Sequence, residues 1–171
     1  MKTIHSIFIR YIILVILGIP NLFVFYFIFT PLTVYPVFFL SDILYNANLL
    51  PGNIISLQGI LVNIIPACIA GAAYYFLLIL NLTTPMHLKK RIQSILFLFL
   101  MFLILNIIRI IIFINLALNK VQYFDLAHKT TWYIGSTILL IIIWFVNLSI
   151  FKIQSIPVIT DLKSIKRHIR K

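Results

Sequence analysis

"QSILFLFLMFLILNIIRIIIFI", residues 93–114, is apolar along almost its whole length and carries a single charged side chain, Arg109. A helix needs about 20 apolar residues to cross the roughly 30 Å hydrocarbon core of a bilayer, and this stretch is long enough. The chain of 171 residues is 63% hydrophobic and only 10% charged. A soluble domain of this length would need far fewer apolar residues. The stretch therefore predicts a transmembrane helix in an all-α, polytopic membrane protein.

Apolar stretches elsewhere predict three more transmembrane helices, at residues of about 8–29, 68–82 and 132–151. The second of these is short and predicts either an upstream extension or a locally thinned bilayer. With 93–114, the chain is expected to have about four spans. These spans form a single integral membrane domain over 1–151, followed by a basic tail over 152–171.

The segment between the first two expected spans, residues 30–67, is predicted to lie outside the membrane. Residues 31–50 contain prolines, Asp42 and asparagines, which favours an interfacial helix over a crossing. "NIISLQGILVNIIP", residues 53–66, is rich in β-branched residues and favours a short strand or hairpin. The alternative, a crossing by residues 31–50, would move the N-terminus to the outer side.

The net charge of +11 is distributed as membrane topology requires, beside the apolar spans, so no nucleic-acid partner is expected. Lys120 and Lys129 fall on one side of the predicted membrane, and Arg109 lies within a span. The other basic residues all fall on the opposite side, and they are Lys2, Arg10, Lys89, Lys90, Arg91, Lys152, Lys163, Lys166, Arg167, Arg170 and Lys171. The positive-inside rule then predicts that both termini are cytoplasmic.

Cys68 is the only cysteine in the chain. An internal disulfide, a CxxC redox pair and a cysteine-based zinc site are all excluded by that count. No metal or other cofactor is expected. The chemistry of a single cysteine is that of a packing residue or of a nucleophile, and its neighbours decide between the two.

Three reactive side chains are predicted at one depth near the outer face. Arg109 lies about 16 residues into its helix, roughly 24 Å from the cytoplasmic end. Cys68 begins its helix from the outer side, and His128 lies in an outer loop just before the aromatic pair at 132–133, which suits an interface. The other histidines fall in cytoplasmic segments, and they are His5, His87 and His168.

These residue types form a consistent nucleophilic site. A Cys68 thiolate would attack a carbonyl, His128 would transfer protons, and Arg109 would stabilise the developing oxyanion. Two neighbours are candidate supporting residues: Asn106 bridges helices or braces the guanidinium, and Asp125 orients the imidazole. The structural alternatives are a packing cysteine, an arginine that snorkels to the headgroups, and a solvated histidine and aspartate in the loop.

Three short motifs carry a resemblance to a known family. "IIPACIAGAAYYFLLIL" at 64–80, "NIIRI" at 106–110 and "FDLAHKTTWY" at 124–133 resemble, in order and spacing, the exosortase/archaeosortase family of multipass membrane proteins. Glycine often stands two residues after the cysteine in that family, whereas here it is Gly71. The chain also has about half the spans of larger members, so it resembles a minimal core.

The resemblance implies a cysteine protease or transpeptidase at the outer face of the cell membrane, with Cys68 as nucleophile and Arg109 and His128 as its partners. The implied substrates are exported proteins that end in a short motif, a transmembrane helix and a basic tail. The new C-terminus would pass to an amine acceptor such as a membrane lipid. The alternative function is a non-catalytic membrane scaffold or a small transporter subunit, although a transporter is expected to place polar groups near mid-bilayer.

Overall fold

A computed structural model describes residues 2–19 and 22–153, with side chains from residue 7 onward. Its helices are α1 (Lys2–Gly18), α2 (Phe23–Tyr45), α3 (Pro66–Ile69), α4 (Gly71–Leu82), α5 (Leu88–Leu118), α6 (Phe124–Thr130) and α7 (Ser136–Ile150). The strands are β1 (Asn48–Leu50), β2 (Ile54–Leu57) and β3 (Ile60–Asn63). A π-helical turn, Thr131–Gly135, joins α6 to α7. Most of the basic tail predicted at 152–171 lies outside the described residues.

Three helices are long and apolar enough to cross a membrane: α2 with 23 residues, α5 with 31, and the continuous helix Phe124–Ile150 with 27. Large apolar side chains on all three are exposed, among them Phe27, Ile112 and Phe145. Because backbone polar groups are paired within a helix, such a surface is stable in hydrocarbon. The prediction of a mostly helical chain with membrane-spanning helices is confirmed at this level.

The first expected span, 8–29, is not one helix. Helix α1 ends at Gly18 and α2 begins at Phe23, and the sequence between them contains Pro20, a residue without a backbone N–H. The interfacial helix expected over 31–50 was wrong as well, because its first part continues α2 to Tyr45. Pro31 and Pro36 lie inside α2, where transmembrane helices tolerate proline.

The remaining helix boundaries shift from those expected. The segment predicted as one helix at 68–82 is broken at Ala70, which has the left-handed φ of 57° and separates α3 from α4. Helix α5 extends beyond 93–114 at both ends. The outer loop expected around His128 is helical, as α6, and both Asp125 and His128 lie on this helix.

The hairpin predicted near 53–66 is confirmed. β2 and β3 are antiparallel, with Leu57 opposite Ile60, and β1 adds a third strand beside β2. The two-residue turn consists of Gln58 and Gly59, both with positive φ, which is the geometry of the tight turns that match the twist of a hairpin. Ile55 and Leu57 are buried beneath the sheet.

The long helices alternate in direction around α5. Helix α2 runs parallel to α5, since Phe25 meets Phe99 near one end and Tyr45 meets Asn115 near the other. Helices α4 and α7 run antiparallel to α5, as the paired residues Asn81 with Ser94 and Arg109 with Ser136 indicate. We call the end of the bundle that carries β1–β3 the sheet end, and the end that carries residues 83–87 the loop end.

An aromatic cluster fills the centre of the bundle. Phe29 of α2 stacks on Tyr74 of α4, with ring centroids 3.5 Å apart. Phe99 and Phe102 of α5 meet Tyr74 edge-on. Gly71 allows this close approach, since a Cβ there would lie 2.9 Å from the ring of Tyr26. This packing holds α3, and with it Cys68, at the sheet end of α5.

Candidate functional site

Cys68 lies in α3, a one-turn helix between the sheet and α4. Its backbone N–H donates to Ile65 O at 2.8 Å, and its side chain is partly exposed. The sequence predicted that a helix of about 15 residues begins at Cys68, and the N-terminus of a helix favours a thiolate. The break at Ala70 leaves only four residues in α3, so a helix dipole is not what distinguishes this cysteine.

Asn106 ties α5 to the backbone of Cys68. Its Nδ2 donates to Cys68 O at 2.9 Å, and its side chain is fully buried. Of the two roles predicted for Asn106, the structure has the bridging one. The bond fixes the height of Cys68 along α5, one turn before Arg109.

Arg109 is the charged group nearest to Cys68. The guanidinium and the thiol are close enough to interact electrostatically, and Arg109 is itself partly buried. Its Nη1 donates to Ser136 Oγ at 2.6 Å. Among residues 2–19 and 22–153, Arg109 has no carboxylate partner. A cation in an apolar helix without a resident anion is costly, and this points to a functional role.

Ser136 is a site residue that sequence reasoning missed. It is the first residue of α7, directly after the π-helical turn, and its hydroxyl donates to Thr131 O at 3.2 Å. Its depth in the bundle could have been predicted from the sequence, because α5 and the following helix are antiparallel neighbours. Arg109 lies 9 residues, about 14 Å, before the last residue of α5, and Ser136 lies 12 residues, about 18 Å, after the first residue of α6.

Beside Arg109, a groove of about 360 Å³ runs between α5 and the α6–α7 helix. Most of its walls are aliphatic, and its polar members are Arg109, Thr131 and Ser136. Its size is within the range of small-ligand sites, and a few polar groups in an apolar cleft are typical of such sites. Neither Cys68 nor His128 lines this groove.

His128 lies nearby but is not bonded to the other two candidates. It is exposed, stacks on Phe124 at 5.8 Å and meets Phe113 edge-on at 5.0 Å between ring centroids. Phe113 is one turn along α5 from Arg109, which places His128 about one turn closer to the sheet end. Within the described part of the chain, His128 makes no hydrogen bond to Cys68, Arg109 or Asp125. Asp125 is exposed, and no hydrogen bond to His128 within the described residues supports the orienting role predicted for it.

A second polar cluster lies near the loop end of α5. Asn81 Nδ2 donates to Ser94 Oγ at 2.7 Å, and Ser94 Oγ donates to Asn147 Oδ1 at 2.8 Å. All three side chains are fully buried. Arg91 caps the end of α4 by donating to Asn81 O and Thr84 O.

Arg10 extends this capping, since its Nη1 donates to Leu82 O at 2.8 Å. Arg10 and Arg91, which the sequence assigned to topology alone, therefore also satisfy the free carbonyls of a helix end.

Models of known protein families, curated proteins and solved structures were compared with this chain, and none of them matches. The chemistry of the site is therefore the basis for assigning a function. That site combines a partly exposed thiol, a guanidinium beside it with unused N–H donors, and an imidazole about one helical turn away. These groups can supply a nucleophile, an oxyanion donor and a proton carrier. Among groups of His, Cys, Asp and Glu in the described residues, none could hold a metal ion.

Proposed function

We propose that this chain is a membrane-embedded cysteine protease or transpeptidase of the exosortase/archaeosortase type. The observation that carries the proposal is the position of Arg109 one turn after Asn106, which binds Cys68 O at 2.9 Å, so that the guanidinium interacts electrostatically with the partly exposed Cys68 thiol. Partial burial disfavours the thiolate, which is the reactive form, and a neighbouring cation counteracts this effect. The Asn106 bond to Cys68 O and the Ser136 bond to Arg109 hold the two groups in register, as a reactive pair requires.

The proposed first half-reaction acylates the enzyme. His128 takes the proton of the Cys68 thiol, and the sulfur attacks a peptide carbonyl carbon. The carbonyl oxygen becomes an oxyanion, to which Arg109 donates a hydrogen bond. The C–N bond then breaks, the leaving amine takes the proton from His128, and a thioester to Cys68 remains.

The second half-reaction releases the substrate from the thioester. An acceptor amine, carried by a membrane lipid or another molecule, attacks the thioester carbonyl and passes its proton to His128. The new amide forms as the C–S bond breaks, and the proton returns to the Cys68 sulfur. Attack by water instead yields a free carboxylate, which makes the protein a protease. The substrates would be exported proteins that end in a short motif, a transmembrane helix and a basic tail.

In this proposal the sheet end faces the extracytoplasmic side of the cell membrane. The crossings are α2, α3–α4, α5 and the α6–α7 helix, with α1 packed against α4 on the cytoplasmic side and both termini cytoplasmic. The charge distribution supports this direction, because Lys120 and Lys129 are the only lysines or arginines that the sequence places on the outer side.

The decisive experiment is substrate processing by Cys68→Ala. The chain is co-expressed with an exported protein of the tripartite kind from the same genome, and cleavage is followed by the change in substrate mass. Cys68→Ala is expected to insert at normal levels and to leave the substrate uncleaved. Processing by Cys68→Ala, or a genome without any such substrate, would refute the protease and leave a membrane scaffold as the better account.

The Cys68→Ala protein, which has no cysteine, also serves to test which end of the bundle faces the outside of the cell. Single cysteines replace Asn53, in the turn between β1 and β2, or His87, at the loop end, and intact cells are treated with a membrane-impermeant maleimide. Both positions are exposed, so accessibility within the fold is matched. Asn53→Cys is expected to react and His87→Cys is not. The reverse pattern would place the site on the cytoplasmic side.

A further inference from the structure

Ser136 and the π-helical turn before it fix the direction of the Arg109 side chain. Arg109 Nη1 donates to Ser136 Oγ at 2.6 Å, and the same hydroxyl donates to Thr131 O at 3.2 Å. The backbone N–H of Ser136 also bonds to Thr131 O. The hydroxyl therefore has its proton committed to a fixed carbonyl, and its lone pairs are available to the guanidinium.

The π-helical turn is what brings Ser136 to Arg109. Thr131–Gly135 bonds with a spacing of five residues, so one residue more than in an α-helix precedes Ser136. One residue of an α-helix corresponds to a rotation of about 100°. In a regular helix through the same residues, the Ser136 hydroxyl would be turned away from α5 by that angle. Single π-turns inside α-helices occur frequently at functional sites.

The bond to Ser136 uses one of the five N–H donors of Arg109. Within the described ranges, no other hydrogen bond of this guanidinium exists, so its remaining donors are unused. The guanidinium is a rigid planar fork, and holding one arm fixes the direction of the others. Nη1 is held by α7, and Arg109 interacts electrostatically with Cys68, whose carbonyl is bound by Asn106 one turn earlier on α5.

We infer that Ser136 is a positioning residue that holds the Arg109 guanidinium toward the Cys68 thiol. This inference rests on the proposed function for its consequence in catalysis, while the positioning itself can be measured without a substrate. Thr137 is a matched control, because its hydroxyl also bonds back to a carbonyl of the same helix, Tyr133 O at 3.1 Å. The side chain of Thr137 is exposed and touches no site residue.

The first measurement is the rate of substrate processing. Ser136→Ala is expected to lower kcat by about 10–100-fold, the range for losing a hydrogen bond to a charged group, with KM little changed. Ser136→Thr keeps a hydroxyl that can bond to the preceding turn and is expected to retain most of the rate. Thr137→Ala is expected to match the unsubstituted protein. Equal losses in Ser136→Ala and Thr137→Ala would overturn the inference.

The second measurement uses the thiol alone. In the purified full-length protein, iodoacetamide reacts with the Cys68 thiolate, which displaces iodide, and the rate at neutral pH reports the thiolate fraction and its access. Arg109→Gln and Ser136→Ala are both expected to slow alkylation, and Ser136→Thr and Thr137→Ala are not. In an Arg109→Gln background, Ser136→Ala is expected to add nothing, because it acts through Arg109.

The outcomes separate the two proposals. The alkylation pattern without any substrate cleavage would refute the protease and leave Ser136 as the residue that positions Arg109. Two other outcomes would overturn the positioning role and leave the protease intact, provided that Cys68 cleaves the substrate. In the first, Ser136→Ala does not change the alkylation rate. In the second, Ser136→Ala slows alkylation by the same factor with Arg109 present and in the Arg109→Gln background.

Discussion

The two ends of α5 hold polar clusters of opposite character. Near the loop end, Asn81, Ser94 and Asn147 bond to one another across three helices and are fully buried. Near the sheet end, Arg109 and Cys68 are partly exposed, and Arg109 lines a groove of about 360 Å³. About 22 Å of helix separates Ser94 from Arg109. Burial therefore distinguishes a cluster that joins helices from one that can meet a substrate.

The arginines at the two ends of α5 differ in the groups to which they donate. Arg91, at the loop end, is buried and donates to two backbone carbonyls at the end of α4, Asn81 O and Thr84 O. Arg109 donates to one hydroxyl and has donors to spare. An arginine that completes helix capping stabilises the fold, whereas one with unused donors next to a thiol is suited to bind a developing negative charge.

The largest expected effect comes from the histidines at the two ends. His128→Ala should lower substrate processing by about 10²–10⁴-fold, the usual contribution of general acid–base catalysis, with little change in stability because the side chain is exposed. His87→Ala, at the loop end and equally exposed, is the control and should process normally. The rates are measured on the same co-expressed substrate. A His128→Ala protein with full activity would remove His128 from the mechanism.

Substitution of Arg109 is expected to lower the processing rate, and substitution of Arg91 is expected to lower the stability. Arg109→Gln should lower processing by about 10²–10³-fold, as for the loss of an oxyanion donor, while unfolding in an SDS titration changes little. Arg91→Gln should lower the free energy of unfolding by roughly 1–3 kcal/mol, because buried carbonyls lose their donors, and leave the rate per folded molecule unchanged. If both variants lose stability and neither loses rate, the two clusters do not differ in kind.

The smallest effect is expected at Ser94. Ser94→Ala removes two interhelical hydrogen bonds, and such bonds contribute roughly 0.6 kcal/mol each in membrane proteins, so the free energy of unfolding should fall by about 1 kcal/mol. Processing per folded molecule should not change, in contrast to Ser136→Ala. A selective loss of processing in Ser94→Ala would show that the buried cluster also serves the reaction.

The long helices were predictable because the length of an apolar stretch indicates a helix that can cross a membrane. Residues 93–114 are long and apolar enough to cross a membrane, and α5 includes all of them. The hairpin was predictable from β-branched residues on either side of Gln58–Gly59, a local turn signal. Both features depend on neighbours in sequence, so local composition was sufficient.

The helix breaks were harder to predict, because an apolar run carries little information about where a helix must stop. The run from 8 to 45 contains Pro20, Pro31 and Pro36, and only the first of these lies where the helix is interrupted. In hydrocarbon, packing against neighbours decides whether a proline is accommodated. The break at Ala70 falls at a residue without a turn preference, between α3 and α4, which both pack on α2 and α5.

By itself, the sequence determined that the chain is mostly helical, with helices long and apolar enough to span a membrane, and it singled out Cys68, Arg109 and His128 as chemically unusual in their surroundings. Only the tertiary structure decided which of them interact: Arg109 interacts electrostatically with Cys68, Asn106 binds the Cys68 carbonyl, and His128 packs on aromatic rings instead. It also brought Ser136 to Arg109 through the π-helical turn. The physical reason is that hydrophobicity places a residue at a depth, whereas the rotation of each helix about its axis, set by packing and by a single inserted residue, decides what it faces.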